Sequence, residues 1–138
     1  MSNKAVVDSN IWIYLKSQDA ERRIKAEKLF NDDTLAIFIS TQILEKIYTV
    51  LTKKKFASHA DAKNFLVALS NFYPVLTLTT EHITEALKLV EEYSFNYWDA
   101  LIVATALLAE VKILYSEDMQ NGLVVRNNLT IVNPFKDL

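Results

Sequence analysis

The chain has 138 residues, of which 51% are hydrophobic and 23% charged, with a single Gly; this composition excludes collagen-like, low-complexity and disordered proteins. Cysteine is absent and only two His are present, which excludes disulfides, thiol catalysis and zinc sites built on Cys or His. A net charge of -2 argues against a nucleic-acid binder that works through an overall positive field. We therefore expect one globular domain over residues 1–138, with any metal ion held by oxygen ligands.

The chain shows no apolar signal core at its start, and the longest apolar stretch, residues 100–109, is too short to span a bilayer. We expect a cytoplasmic protein without membrane association. Two runs of positive charge, residues 22–25 and 53–55, can border a nucleic-acid site. Solvent-exposed helix faces carry such runs more often, so this interpretation is the weaker one.

Strands and helices alternate along the predicted chain. Short apolar runs predict strands at residues 5–8, 35–39, 75–78, 112–115 and 130–132. Apolar residues at helical spacing predict helices at residues 19–30, 41–54, 58–71, 81–93 and 97–110. The last of these helices is hydrophobic nearly all round, as expected for a helix in the middle of a small domain. The alternation predicts an α/β fold, a three-layer α/β/α sandwich with a central parallel sheet of four to five strands.

Four carboxylates map to one edge of this predicted sheet. Asp8 ends the first strand, Asp118 follows the fourth strand, and Asp99 lies in the first turn of the helix leading into that strand. Glu45 lies in the first turns of the helix after the second strand, from where it can point towards the same edge. Ligands of open α/β sheets bind at the carboxyl ends of the strands, near the point where the strand order reverses. We therefore predict one site that contains all four residues.

These carboxylates would repel one another without a counter-ion. A divalent cation relieves the repulsion, and a site with oxygen ligands alone suits Mg²⁺ or Mn²⁺. Each residue also has a structural explanation: Asp99 can complete a cap with Asn96, Asp118 and Asp8 can be turn or loop residues, and Glu45 can be a solvated helix residue. Their common placement at one edge favours the metal site.

Four segments of the chain resemble PIN domains, and most closely the VapC-type toxins of prokaryotic toxin–antitoxin pairs. The segments are residues 6–10 (VVDSN), the helix-borne Glu45, residues 97–101 (YWDAL) and residues 114–118 (LYSED), and the likeness continues to residues 133–135 (NPF). By this resemblance, metal binding and catalysis fall to four residues: Asp8, Glu45, Asp99 and Asp118. Three neighbouring residues can orient waters or ligands: Ser9, Asn10 and Ser116.

The resemblance implies endonucleolytic RNA cleavage that depends on Mg²⁺ or Mn²⁺, often with a tRNA or an rRNA as substrate. It also implies a homodimer and a cognate antitoxin that covers the site. Four aromatic residues can line such an interface or belong to the core: Trp12, Tyr14, Tyr97 and Trp98. Trp12 and Tyr14, which follow the first strand, can also stack on an RNA base.

Three other α/β enzymes and domains fit the sequence poorly. A haloacid-dehalogenase-type phosphatase needs a second Asp two residues after the first, and Asn10 stands there. A receiver domain needs adjacent acidic residues at the end of the first strand, and Asp8 stands alone. A nucleotide-binding fold needs a glycine-rich loop, and Gly122 is the sole glycine. One alternative stays open, a noncatalytic PIN-like module that binds RNA or a protein.

Overall fold

The computed structural model describes residues 3–138 and contains six strands and six helices in that part of the chain. The strands are β1 (Asn3–Val7), β2 (Leu35–Ser40), β3 (Val75–Leu76), β4 (Ile113–Tyr115), β5 (Val124–Val125) and β6 (Leu129–Val132). The helices are α1 (Ser9–Tyr14), α2 (Ala20–Phe30), α3 (Thr41–Lys53), α4 (His59–Phe72), α5 (Thr80–Tyr93) and α6 (Tyr97–Leu108). The predicted domain of residues 1–138 includes Met1 and Ser2, which lie outside the described residues.

The strand order in the sheet is β3-β2-β1-β4-β6-β5. All neighbouring strands run parallel except β5 and β6, which form an antiparallel pair at one edge. The chain runs outwards from β1 through β2 to β3 and then returns to place β4 on the other side of β1. The strand order therefore reverses between β1 and β4, where ligands of such sheets bind.

The helices flank the sheet in two groups. Helix α1 contacts α2 and α3, and α3 packs on α4, whereas α5 packs along α6. Right-handed crossovers place helices on opposite faces when the chain moves in opposite directions along the sheet. The predicted three-layer α/β sandwich is confirmed, and the sheet has six strands rather than four to five.

The core includes the central strand β1 and helix α6. Residues 5–7 of β1 are buried, as expected for a strand covered on both faces. Residues 100–106 of α6 are all buried, which explains why that helix lacks a polar face. No helix among the described residues is long and apolar enough to cross a membrane.

Two elements were absent from the prediction. Helix α1 has six residues, too few to show helical periodicity, and β5 has two residues at the sheet edge. Trp12 in α1 is fully buried, donates from Nε1 to Val7 O at 2.8 Å and packs on Phe30. Its predicted alternatives of stacking on RNA or lining an interface are therefore wrong, because the indole belongs to the core. Trp98, in contrast, is 66% exposed.

Candidate active site

Asp8 lies at the point where the strand order reverses. Val7 pairs with Tyr115 in the register of β1 and β4, so Asp8 and Ser116 leave the sheet side by side. Asp8 also caps α1, because its Oδ1 accepts a hydrogen bond from Ser9 N at 2.7 Å. Its Oδ2 accepts from Ser116 Oγ at 3.1 Å. Two hydrogen bonds from different strand ends therefore fix the orientation of this carboxylate.

The Asp8 carboxylate is almost completely buried, with 3% of the residue exposed. Burial raises its pKa above the usual value because the charged form loses hydration, and the nearby charge of Asp99 adds to this effect. The hydrogen bond from Ser9 N and the charge of Lys46 act in the opposite direction without cancelling the rise. A buried carboxylate of this kind is better accommodated with a cation beside it.

Asp118 reaches the same edge from the loop after β4. Asp118 is exposed, and its Oδ2 accepts a hydrogen bond from Asn10 Nδ2 at 2.7 Å. Asn10 lies two residues after Asp8 in the chain. The preceding residue, Glu117, anchors this loop: it accepts hydrogen bonds from Tyr14 Oη and from Arg22 Nε, the latter at 3.1 Å. The loop carrying Asp118 is thus tied to both α1 and α2.

Asp99 lies in the first turn of α6 and takes part in its cap. Asn96 Oδ1 accepts from Asp99 N at 2.9 Å, and Asn96 Nδ2 donates to Asp99 Oδ2 at 2.9 Å. The cap and a role at the site are compatible, since the carboxylate keeps further lone pairs and its charge acts on Asp8. Gln42 of α3 donates to Trp98 O at 3.0 Å, which ties α3 to this turn, while its buried Oε1 has no partner among the described residues.

Glu45, the fourth predicted carboxylate, lies on α3, one turn after the start of the helix. It is exposed and lines a groove between α3 and α4 of about 630 Å³, together with Tyr48, His59 and Lys63. Contacts and charges bring Asp8, Asp99 and Asp118 towards one edge. Glu45 lines the groove, and its place in the acidic site stays a prediction. The predicted neighbours Ser9, Asn10 and Ser116 all lie at the edge and contact these carboxylates.

Sequence reasoning missed the residues that support this edge from a distance. Tyr14 and Glu117 are separated by 103 positions, so no local pattern links them. Lys46, whose charge acts on Asp8, was also missed. Nothing in the local pattern of α3 linked this lysine to Asp8, which lies in a different element.

The donor chemistry at this edge fits a hard divalent cation, because the three carboxylates, two serines and one asparagine offer oxygen ligands. Within residues 3–138, Asp8, Asp99 and Asp118 form no ion pair with a basic side chain. The described residues contain no group of three or more His, Asp or Glu side chains close enough to hold one ion. The carboxylates thus share an edge without forming a complete ligand sphere.

The fold and this edge define a class of protein, namely doubly wound α/β proteins with an acidic site at the topological switch point. The model of one family, the PIN domain, matches residues 5–120. The match covers most of the chain, and the chain belongs to the PIN-domain family. No curated protein sequence matches it.

Several solved structures share the fold. A chain of a toxin–antitoxin complex from Klebsiella pneumoniae is 19% identical, with a TM-score of 0.68, and the match covers 94% of this chain and 97% of that one. VapC20 from Mycobacterium tuberculosis, described as a sarcin–ricin loop cleaving toxin, is 18% identical, with a TM-score of 0.67 and coverage of 80% and 86%. VapBC2 from Rickettsia felis, bound to a promoter DNA fragment, is 16% identical, with a TM-score of 0.66 and coverage of 93% and 96%.

Proposed function

We propose that this protein is a metal-dependent endoribonuclease, a hydrolase of RNA phosphodiester bonds, and the toxin of a type II toxin–antitoxin module. The observation that carries this proposal is the position of Asp8. Its carboxylate is buried at the topological switch point, is held by Ser9 and Ser116, and has no basic partner among the described residues. Membership of the PIN-domain family supports a nuclease.

Asp8, Asp99 and Asp118 are the residues that we propose to hold Mg²⁺ or Mn²⁺ and to carry catalysis. When bound, such an ion supplies an activated water and neutralises charge on the scissile phosphate. Glu45 stays a prediction for this ligand set, since its carboxylate lies beside the groove between α3 and α4.

The chain's own residues contribute orientation. Ser116 and the backbone of Ser9 hold the two oxygens of Asp8, so this carboxylate keeps one direction without spending conformational entropy on binding. Asn10 holds Asp118 in a similar way, and Asn96 holds Asp99. Each carboxylate thus has at least one hydrogen bond that sets its angle, which is the role that residues around a metal site commonly play.

The partners of the protein follow from the same proposal. Toxin–antitoxin assemblies among the similar structures support a cognate antitoxin as partner. We propose a tRNA or an rRNA as the substrate, a homodimer as the assembly and the cytoplasm as the location. Trp98, exposed at the start of α6 next to Asp99, is the aromatic residue best placed to contact an antitoxin that covers the site.

The test is a map of new 5′ ends in total cellular RNA after brief expression of the wild-type chain beside Asp8→Asn. We expect specific new ends with Mn²⁺- or Mg²⁺-dependent cleavage in vitro, and their loss in Asp8→Asn with an unchanged circular dichroism spectrum. Equal cleavage by both proteins would refute the proposal that this protein is the endoribonuclease. Specific RNA binding without cleavage would favour the alternative, a noncatalytic PIN-like module that binds RNA or a protein.

The toxin assignment has its own test. Expression of the chain should arrest growth, and co-expression of the product of a small adjacent gene for a DNA-binding protein should relieve the arrest. A harmless chain with intact RNA cleavage would refute the toxin role while leaving the nuclease in place.

A further inference from the structure

The turn between α3 and α4 carries an exposed aromatic ring among positive charges. Phe56 is 61% exposed and directly follows the lysine run of residues 53–55. Lys16, two residues after the end of α1, lines the same cavity as Phe56. These four lysines form no ion pair within residues 3–138. Lysines at the end of a helix interact favourably with its dipole, but that role does not account for the exposed ring beside them.

The cavity that Phe56 lines lies between this turn and the end of α1 and has a volume of about 510 Å³. Ligand pockets in proteins typically have volumes of about 300–1,000 Å³. Asp19 is the sole carboxylate among the described residues that line it, and its Oδ2 accepts from Arg22 Nη1 at 3.1 Å. The charges of the cavity that have no ionic partner in the described part of the chain are those of Lys16 and Lys55. The cavity therefore favours an anionic ligand.

Contacts within the fold set the positions of Phe56 and Lys16. Phe56 N donates to Leu51 O at 2.9 Å, a bond that closes the end of α3. Lys16 Nζ lies 4.8 Å from the centre of the Phe65 ring in α4, a cation–π contact. The backbone of Phe56 and the ammonium group of Lys16 are thus held beside the cavity in the free protein, which lowers the entropic cost of binding a ligand there.

Tyr14 connects the cavity with the acidic edge. It is the last residue of α1, lines the cavity, and donates from Oη to Glu117, which precedes Asp118. Helix α1 begins directly after Asp8 and has six residues, a length of about 9 Å. An RNA strand that lies at the acidic edge can therefore extend into the cavity within a few nucleotides.

We propose that Phe56, Lys16 and Lys55 form a second RNA contact site, in which the Phe56 ring stacks on an unpaired base and the two ammonium groups contact neighbouring phosphates. This inference rests on the proposed function, since the strand bound here is the one cleaved at the acidic edge. An aromatic ring beside a positively charged groove is the combination by which proteins bind single-stranded nucleic acids. Bases in an RNA duplex are paired and stacked on one another, so the site selects a loop, a bulge or an end.

The first experiment measures RNA binding in EDTA, so that no divalent ion takes part. A short fluorescein-labelled single-stranded RNA is titrated with the full chain at several salt concentrations, for wild type, Phe56→Ala, Phe56→Trp, Lys16→Gln and Lys55→Gln. Phe72→Ala is the matched control for the ring, because Phe72 is 79% exposed at the other end of α4. Lys28→Gln is the control for the charges, because this exposed lysine lies in the last turn of α2, which leads to the opposite edge of the sheet.

We expect Phe56→Ala to weaken RNA binding about tenfold, as for other lost base stacks, and Phe56→Trp to retain the wild-type affinity. Lys16→Gln and Lys55→Gln should each reduce the slope of log affinity against log salt by about 0.7, the loss of one phosphate contact on a single strand. Both control variants should match wild type. Equal affinities of Phe56→Ala and Phe72→Ala, or wild-type slopes in both lysine variants of the cavity, would overturn the proposal.

The second experiment tests the stacking itself. A fluorescent base, 2-aminopurine, is placed at successive positions of the RNA, because its emission falls where the base stacks on a ring. We expect wild type to quench one position and Phe56→Ala to leave that position bright. The same RNA annealed to its complement should bind more weakly than the single strand. Equal quenching by both proteins, or equal binding of duplex and single strand, would overturn the proposal.

A protein ligand of this cavity is a separate outcome. Loss of co-purification with the product of the small adjacent gene in Phe56→Ala, with RNA binding unchanged, would overturn the proposal and assign the cavity to a protein partner. Failure of the proposed function is distinguishable from both results: Asp8→Asn would then cleave RNA like wild type, while binding in EDTA still reports on Phe56.

Discussion

Asn10 Nδ2 donates a hydrogen bond to Asp118 Oδ2 at 2.7 Å, joining two residues that are 108 positions apart in the chain. The bond connects the first turn of α1 with the loop after β4, on either side of the point where the strand order reverses. It holds the exposed carboxylate of Asp118 beside α1, the helix that Asp8 caps. The loop gains its position from this contact and from the anchoring of Glu117.

Removing the amide of Asn10 is expected to weaken the site without affecting the fold. In Asn10→Ala, Asp118 loses its support and its carboxylate samples other directions. We expect Mn²⁺ affinity and RNA cleavage to fall about 10- to 100-fold, as for other residues that orient metal ligands. Asn128→Ala, in the turn before β6 at the opposite edge, serves as the control. Equal activity of the two variants would show that Asp118 does not need Asn10.

Asp8→Asn is expected to keep or raise the stability of the metal-free protein and to abolish its stabilisation by Mn²⁺. The substitution removes a desolvated charge, so the melting temperature in EDTA should equal or exceed that of wild type. Saturating Mn²⁺ should stabilise wild type, by about 2.7 kcal/mol at a hundredfold excess over Kd, and leave Asp8→Asn unchanged. Thermal denaturation followed by circular dichroism provides the measurement. A Mn²⁺ shift of the same size in Asp8→Asn would exclude Asp8 as a ligand.

Asn96→Ala tests the link between the α6 cap and Asp99. The loss of this N-cap should cost about 1 kcal/mol of unfolding free energy, and Asp99 also loses its hydrogen bond from Asn96 Nδ2. Ser58→Ala removes the corresponding cap of α4, where Ser58 Oγ accepts from Asp61 N at 3.1 Å. Urea denaturation should show similar losses in both variants, whereas Mn²⁺ affinity should fall in Asn96→Ala alone. Equal Mn²⁺ affinities would leave Asn96 with a purely structural role.

Tyr14 is expected to make stability depend on alkaline pH. Burial, together with the hydrogen bond and charge of Glu117, raises the pKa of Tyr14 to about 12. A raised pKa means that the folded state favours the protonated phenol, so this contribution is present below the ordinary value of 10.0 and is lost as the pH rises towards 12. Urea denaturation across this range should show a smaller loss in Tyr14→Phe. Tyr73 and Tyr115, whose pKa values burial also raises, should leave a residual slope. Identical pH profiles for the two proteins would contradict this role of Tyr14.

Trp12→Phe is expected to destabilise the core. The smaller ring leaves a cavity beside Phe30, and Val7 O loses its hydrogen bond from the indole. These losses should cost about 2–3 kcal/mol of unfolding free energy, whereas Trp98→Phe on the surface should stay within about 0.5 kcal/mol of wild type. Chemical denaturation measures both. A comparable cost in the two variants would mean that Trp98 is also packed.

The elements that the sequence predicted well are those whose apolar periodicity extends over many residues or whose burial pattern is distinctive. The all-round apolar character of residues 97–110 indicated a buried helix, and α6 is that helix. Helix α3 begins at Thr41, which is also the first residue of the predicted helix. Helix α1 was not predicted, because its six residues are too few to show a repeating pattern of apolar side chains at helical spacing.

The amino-acid sequence by itself determined the α/β class, the parallel sheet and the positions of Asp8, Asp99 and Asp118 relative to strand and helix ends, because each of these depends on local periodicity and capping. The tertiary structure decided which side chains meet. The bonds from Asn10 to Asp118 and from Tyr14 to Glu117 join residues more than a hundred positions apart, and only the strand order brings such residues together. It also set the rotation of α3, through the hydrogen bond from Gln42 to Trp98 O in the first turn of α6. A shift of one position turns a side chain by about 100° around a helix, and this rotation depends on packing that the sequence pattern alone does not specify.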